Sequence, residues 1–501
     1  MNVTRKRKGE RPVLKYKNRV QMVLLLATDG LLSSCGGGSV LATPTPVAVS
    51  GPAPLMTRAQ DTRTFVPPVE VSFAALDDSF ASTDRWVGVQ DGAAYRIEVP
   101  KNWNGDLVVW ARGYWFGVGL YIENPFMRRH LLQKGYAWAA SSYTRNNYDV
   151  AVGVEDSNRL AAQFVRIAAS NGRQLLAPRR TYIAGASMGG HVAAAAVEAE
   201  VVRDARNQMR YDGALSLCGT VADLEWFDYI AAYQVAMQQL LGFAAEAYPS
   251  QVYTQNKTVL QSQIIDTVVR QDLSRPAVKK LFSLMEQLSG GARPFYREGW
   301  FDPYHHNILF GLMNAQPTID GILATKAMDT RSVQYRFNAE ILPTADSRAF
   351  NESILRVVPD AHPNPLQTPG LRWVPVVAGQ LMAPVMTLHA IGDLTVPIDT
   401  QVRYRQRAAS QGRAQLLVQR LIRDVGHCSF TNAEMVTAFD DLALWVAQGK
   451  KAAGDDLTDT SRGFDATAGC AFTDNKTSAE DRTDAGERAL AQAAYPACPA
   501  R

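Results

Sequence analysis

The sequence lacks any uninterrupted apolar run with the length of a membrane span, including the short one near its start. Cysteine is scarce, at five of 501 residues, and the fold must rest on a core, for which an apolar content of 47% is ample. A basic excess is missing too, once the start is set aside. Residues 1–35 hold eight of the 52 basic and two of the 48 acidic residues, leaving 44 against 46. Nothing therefore points to a nucleic-acid surface. Metal-ligand spacing is lacking as well: the one adjacent histidine pair, His305-His306, is not set among cysteine and acidic residues in the manner of a zinc site. No metal or other cofactor is expected.

What is present begins with an export signal. Basic residues crowd positions 1–21, a short apolar run follows at 22–27, and small residues follow at 33–39. Leu32-Ser33-Ser34-Cys35 resembles the lipobox of bacterial lipoproteins. That resemblance implies a lipid on Cys35, contact with an envelope membrane through that anchor alone, and a periplasmic or cell-surface location. An ordinary cleaved signal is the alternative, and translation starting at Met22 is a further reading. Residues 36–70, rich in Gly, Pro and Thr at their start, read as a flexible tether.

The organising stretch is Gly185-Ala186-Ser187-Met188-Gly189. An apolar, β-branched run, Arg180-Thr181-Tyr182-Ile183-Ala184, precedes it, and a small-residue helix, expected over 190–198, follows. Strand, G-x-S-x-G and helix together read as a nucleophile elbow. The turn is too tight for side chains two residues either side of the serine, and the hydroxyl stands at a helix N-terminus, where developing negative charge is favoured. Continuous apolar strands are expected over 106–111, 135–143, 213–218, 384–390 and 415–421, with helices over 126–134, 156–170, 397–410 and 433–448. Strands alternating with helices of this length predict an α/β fold, a doubly wound and mostly parallel sheet.

By this order the chain resembles the α/β-hydrolase superfamily, and within it exported bacterial serine esterases with a helical lid. Residues 71–219 and 371–450 would form the catalytic domain, 220–370 the lid insertion, and 451–501 a tail. The resemblance implies Ser187 as nucleophile, Asp393 (in Gly392-Asp393-Leu394-Thr395-Val396-Pro397) as acid and His427 as base, in the superfamily's chain order. The backbone N–H groups of Met188 and of Tyr114 or Gly113 would hold the oxyanion. Arg112 occupies a position where many relatives carry histidine, which leaves the backbone role intact. Aromatic residues crowd the insertion, and Trp226, Phe227 and Trp300 are candidate substrate contacts.

Setting Cys35 aside leaves Cys218, Cys428, Cys470 and Cys498, which allow three pairings. Cys218 ends the strand expected beside the nucleophile strand, and Cys428 follows the base. A Cys218–Cys428 bridge pinning the histidine loop, with Cys470–Cys498 stapling the tail, is the expected set.

The function implied is hydrolysis of a small or oligomeric carboxylic ester, hydrophobic or aromatic, through an acyl-enzyme. Two alternatives stay open. A prolyl-oligopeptidase-like peptidase shares the Ser-Asp-His order, but such enzymes carry a propeller for which the residues ahead of the first strands leave no room. A non-catalytic binding lipoprotein on the same fold would lack a triad member, and all three are present.

Overall fold

A computed structural model of the chain describes residues 72–115, 120–242, 273–302, 304–306, 327–337, 342–458 and 463–498. The export signal, Cys35 and the tether lie outside the described residues. Eight strands form one sheet: β1 (Asp84–Gln90), β2 (Ala93–Val99), β3 (Asp106–Ala111), β4 (Ala137–Ser141), β5 (Arg180–Ala186), β6 (Gly213–Leu217), β7 (Val385–Ala390) and β8 (Leu417–Ile422). Their spatial order is β1-β2-β4-β3-β5-β6-β7-β8. β2 pairs antiparallel with β1 and β4, and every later pairing is parallel. This is the α/β-hydrolase arrangement.

Among the described residues the helices are α1 (Arg128–Gln133), α2 (Val150–Ser170), α3 (Met188–Ala195), α4 (Ala199–Asp204), α5 (Leu224–Leu241), α6 (Pro276–Leu288), α7 (Tyr296–Trp300), α8 (Ala345–Ser353), α9 (Asp399–Ser410), α10 (Asn432–Gln448) and α11 (Ala485–Gln492). Parallel strands with helices on both faces must be apolar on both, and β3, β4, β6, β7 and β8 are buried at every residue. The pleat sends successive residues of β3 to opposite sides. Leu107, Val109 and Ala111 join one core cluster, which α2 and α3 also feed, while Val108 and Trp110 join another, fed by α1 and α10.

Two helices differ from the sequence expectation. α2 starts at Val150 rather than at 156, because Asp149 caps it through the Val152 N–H at 3.1 Å. Asp156 is instead a buried member of that helix, accepting the Thr144 N–H at 2.6 Å. α3 stops at Ala195 rather than at 198. Beyond it the chain turns, and Glu198 caps the segment returning to β7, accepting the Gly379 and Gln380 N–H groups at 3.0 and 2.7 Å.

Between β6 and β7 the described residues hold α5, α6, α7 and α8, with α5 packed on α6. After β8, Thr431 and Glu434 form a reciprocal capping box at the start of α10. Glu434 also accepts the Asp474 N–H at 2.9 Å and is ion-paired with Arg488 of α11, both side chains being buried. The described residues beyond 450 are thereby tied into the fold. No helix among the described residues is long and apolar enough to cross a membrane.

Candidate active site

The turn after β5 is built by close approach. A Cβ on Gly185 would stand 2.6 Å from the Ala111 carbonyl oxygen, and one on Gly189 would collide with that same oxygen. Glycine at both positions therefore lets α3 start against the end of β3. Ser187 lies between them at φ 57° and ψ −122°, a left-handed conformation that a serine adopts only when its surroundings impose it. The Ser187 N–H donates to the Leu217 carbonyl at 2.9 Å, tying the turn to the end of β6.

Three distant residues meet there. Ser187 Oγ lies 2.8 Å from His427 Nε2, and His427 Nδ1 lies 2.7 Å from Asp393 Oδ2. Asp393 follows β7 and His427 follows β8, so each arrives from the C-terminal end of a parallel strand. Asp393 is wholly buried, and its second oxygen accepts the Thr395 and Val396 N–H groups at 2.9 and 3.1 Å. Burial by itself would raise this carboxyl. The charge and hydrogen bond of His427, with His305 and His389 beyond, hold it below the ordinary aspartate value. Asp393 is therefore an anion placed to accept the imidazole Nδ1–H and to stabilise an imidazolium.

His305, taken from sequence as one of a pair in the insertion, is buried behind this chain. Its Nε2 lies 2.8 Å from the Val425 carbonyl and its Nδ1 2.8 Å from Thr395 Oγ1. It bridges the acid and histidine loops. His306 bonds Tyr233 and the Trp300 carbonyl, and burial lowers its pKa to about 4. Cys218, Cys428 and His427 offer three ligand-type atoms within 4.8 Å of one another. The two sulfurs are joined as a disulfide, however, and both ring nitrogens of His427 are hydrogen-bonded. A second disulfide joins Cys470 to Cys498.

Gly113 and Tyr114 follow β3 and line a cavity of about 200 Å³ that Ser187 and His427 also line. Both amides expected as alternatives for the oxyanion, those of Gly113 and Tyr114, stand on this loop, with Met188 at the first position of α3. Arg112 supports this loop from behind as a buried cation. It donates to the Ser142, Gly113 and Arg145 carbonyls at 2.9, 3.0 and 2.8 Å, and lies 4.5 Å over the Tyr143 ring.

Of the aromatic residues expected to meet substrate, Trp226 lines the cavity, and its indole N–H donates to the Thr395 carbonyl at 2.8 Å. Phe227 and Trp300 do not line it. One residue further round α5, Phe227 packs edge-on against Tyr148 behind the wall, and Trp300 is buried against Phe282 and His306. Sequence reasoning missed Glu123, Phe126, Tyr148, Tyr304 and Arg482, all of which line the cavity. Glu123 and Phe126 come from the β3–α1 connection, Tyr148 from the β4–α2 connection, Tyr304 from the aromatic-rich insertion and Arg482 from the α10–α11 connection, none within a motif. A helix-cap aspartate at Asp149 was the one signal that could have placed Tyr148 near the sheet.

No family model matches the chain, and no curated protein sequence matches it. Among solved structures it is similar to feruloyl esterase B from Aspergillus oryzae, at 11% identity over 74% of this chain and 82% of that one, with a TM-score of 0.43. It is similar also to an esterase from Aspergillus oryzae, at 13% identity over 73% and 80%, with a TM-score of 0.39. A third likeness is to Pyrococcus horikoshii acylaminoacyl peptidase, at 10% identity over 75% and 43%, with a TM-score of 0.35. The strand order, not these scores, carries the fold.

Proposed function

We propose that the chain is a serine carboxylic-ester hydrolase. The observation that carries this reading is the unbroken chain from Ser187 Oγ through His427 to Asp393, at 2.8 and 2.7 Å. His427 Nε2 takes the hydroxyl proton as Ser187 attacks the ester carbonyl, while Asp393 holds the ring and stabilises its positive charge. The Met188 amide and that of Tyr114 or Gly113 receive the oxyanion, and α3 adds its N-terminal dipole. His427 then protonates the departing alcohol, and water, activated by the same imidazole, releases the acid.

Aromatic walls from Phe126, Tyr148, Trp226 and Tyr304 favour esters with a hydrophobic or aryl part, including oligoesters. The insertion over residues 220–370 would act as the cover of this cavity. Two disulfides and the basic-apolar start of the chain support export, with Cys35 as the point of lipid attachment.

The test is turnover of p-nitrophenyl esters of several chain lengths, with a peptide p-nitroanilide alongside, by protein lacking residues 1–35. Ester hydrolysis is expected, and Ser187→Ala should lower kcat by at least ~10⁴-fold. Turnover of the anilide alone would replace this reading with a peptidase. Silence on every substrate would leave a binding protein.

A further inference from the structure

The segment between the last strand and the C-terminus delivers a cation to the mouth of the cavity. Arg482 lines it together with Ser187, His427 and Phe126. Its backbone is fixed close to the histidine loop: the Arg482 N–H donates to the Phe430 carbonyl at 2.8 Å, and the neighbouring Asp481 carboxylate accepts the Asn432 N–H at 2.7 Å. The side chain is exposed, with its guanidinium 4.2 Å over the Phe126 ring. Among the described residues that guanidinium makes no hydrogen bond or ion pair. The arginines around it are matched, Arg128 to Glu98, Arg129 to Asp77 and Glu480, and Arg488 to Glu434.

Glu123 faces the same space but is already occupied. It accepts from the Trp110 indole at 3.1 Å and from the Tyr121 hydroxyl at 3.2 Å, and the Arg482 charge acts on it with no hydrogen bond or ion pair between the two. A second cavity, of about 420 Å³, shares Glu123, Phe126 and Arg482 with the first. Arg482 therefore stands where a substrate reaching outward from Ser187 would pass from one cavity to the other.

A guanidinium held over a ring, with its N–H groups unpaired among the described residues, can take a carboxylate in two parallel hydrogen bonds. We infer that Arg482 anchors a carboxylate carried by the substrate. The preferred esters are then those with a free acid some bonds away from the scissile carbonyl: half-esters of dicarboxylic acids and acid-terminated oligoesters. This rests on the esterase reading above and names its substrate class. The aromatic walls hold the carbon chain between the two ends.

The test compares kcat/KM for mono-p-nitrophenyl adipate with that for p-nitrophenyl hexanoate, a pair alike in chain length and differing in the terminal carboxylate. The native protein should favour the charged ester. In Arg482→Gln the charged-to-neutral ratio should fall about ten- to a hundredfold, the worth of a charge-assisted hydrogen bond. Arg482→Lys should recover part of it, and 0.5 M salt should compress the native ratio. A ratio unchanged by Arg482→Gln overturns the carboxylate anchor, and if the neutral ester is still cleaved in a Ser187-dependent way the esterase reading survives. Cleavage of neither ester, with no labelling of Ser187 by a fluorophosphonate, overturns both.

Discussion

Ser187, Asp393 and His427 each sit on a turn leaving a parallel strand that is buried along nearly its whole length, and the turn of Ser187 is itself locked by backbone contacts to β3 and β6. Phe126, Tyr148, Trp226, Tyr304 and Arg482, which wall the cavity, come from five separate segments outside the sheet, Trp226 from the first turn of α5. Three side chains at the rim are thus placed by the sheet, while the walls are placed by whatever those segments pack against. The rim can hold its geometry as the walls vary. On the esterase reading proposed above, reaction type and substrate choice are written in separate parts of the chain.

The most severe way to break this division is at the rim. Asp393→Asn keeps the shape of a wholly buried side chain but removes the charge that faces His427. It should lower kcat about 10⁴-fold with little change in KM, because the imidazole loses both its proper tautomer and its counter-charge. Steady-state kinetics on any accepted ester checks this, and a rise in KM with kcat unchanged would place Asp393 in the wall rather than the rim.

Second in size is the disulfide that joins the end of β6 to the histidine loop across 210 residues of chain. Replacing Cys218 and Cys428 together by serine should lower stability by about 4 kcal/mol, by freeing a long loop in the unfolded chain. If the bridge also holds His427 in place, kcat should fall more than KM rises in the protein that remains folded. Urea unfolding and kinetics on one preparation separate the two effects.

The smallest expected effect probes the seam between the two regions. Glu198, just beyond α3, caps the Gly379 and Gln380 N–H groups of the segment returning from the insertion. Burial raises its pKa to about 7 against an ordinary 4.5. A carboxyl with a raised folded-state pKa contributes stability that is complete below 4.5 and lost as pH rises through 7. Glutamine does not titrate, so Glu198→Gln should gain on the native protein by about 2–3 kcal/mol between pH 5 and pH 8. Chemical unfolding at the two pH values measures the difference, and a gap that does not change with pH would show that the seam carries no buried charge.

How far the sequence could be read follows the same division. The nucleophile turn, the acid loop and the histidine loop were legible because each requires a local pattern: glycines flanking a serine, and Gly-Asp or Gly-His after a continuous apolar run. The Cys218–Cys428 pairing was legible for a related reason, since adjacent strand order brings the two loops together. The walls were not. Trp226 and Phe227 are neighbours of like chemistry, and only the rotation of α5 decides which one faces the cavity. His305 looked like half of a histidine pair, yet its partners, Thr395 and Val425, lie far along the chain and show themselves only in three dimensions. Glu123 and Arg482 sit in segments with no periodicity, where position depends wholly on what is packed beneath.

The pairing of Glu434 with Arg488 bears on where this protein can be cut. Counting strands suggests that the catalytic unit is complete once α10 has ended, and an expression boundary drawn there would look safe. Such a truncation would strip a buried carboxylate of its only cationic neighbour among the described residues, at the head of the helix that follows the catalytic histidine proposed here. The described residues beyond 450 belong to the folding unit, and shortened versions should be designed around them rather than without them.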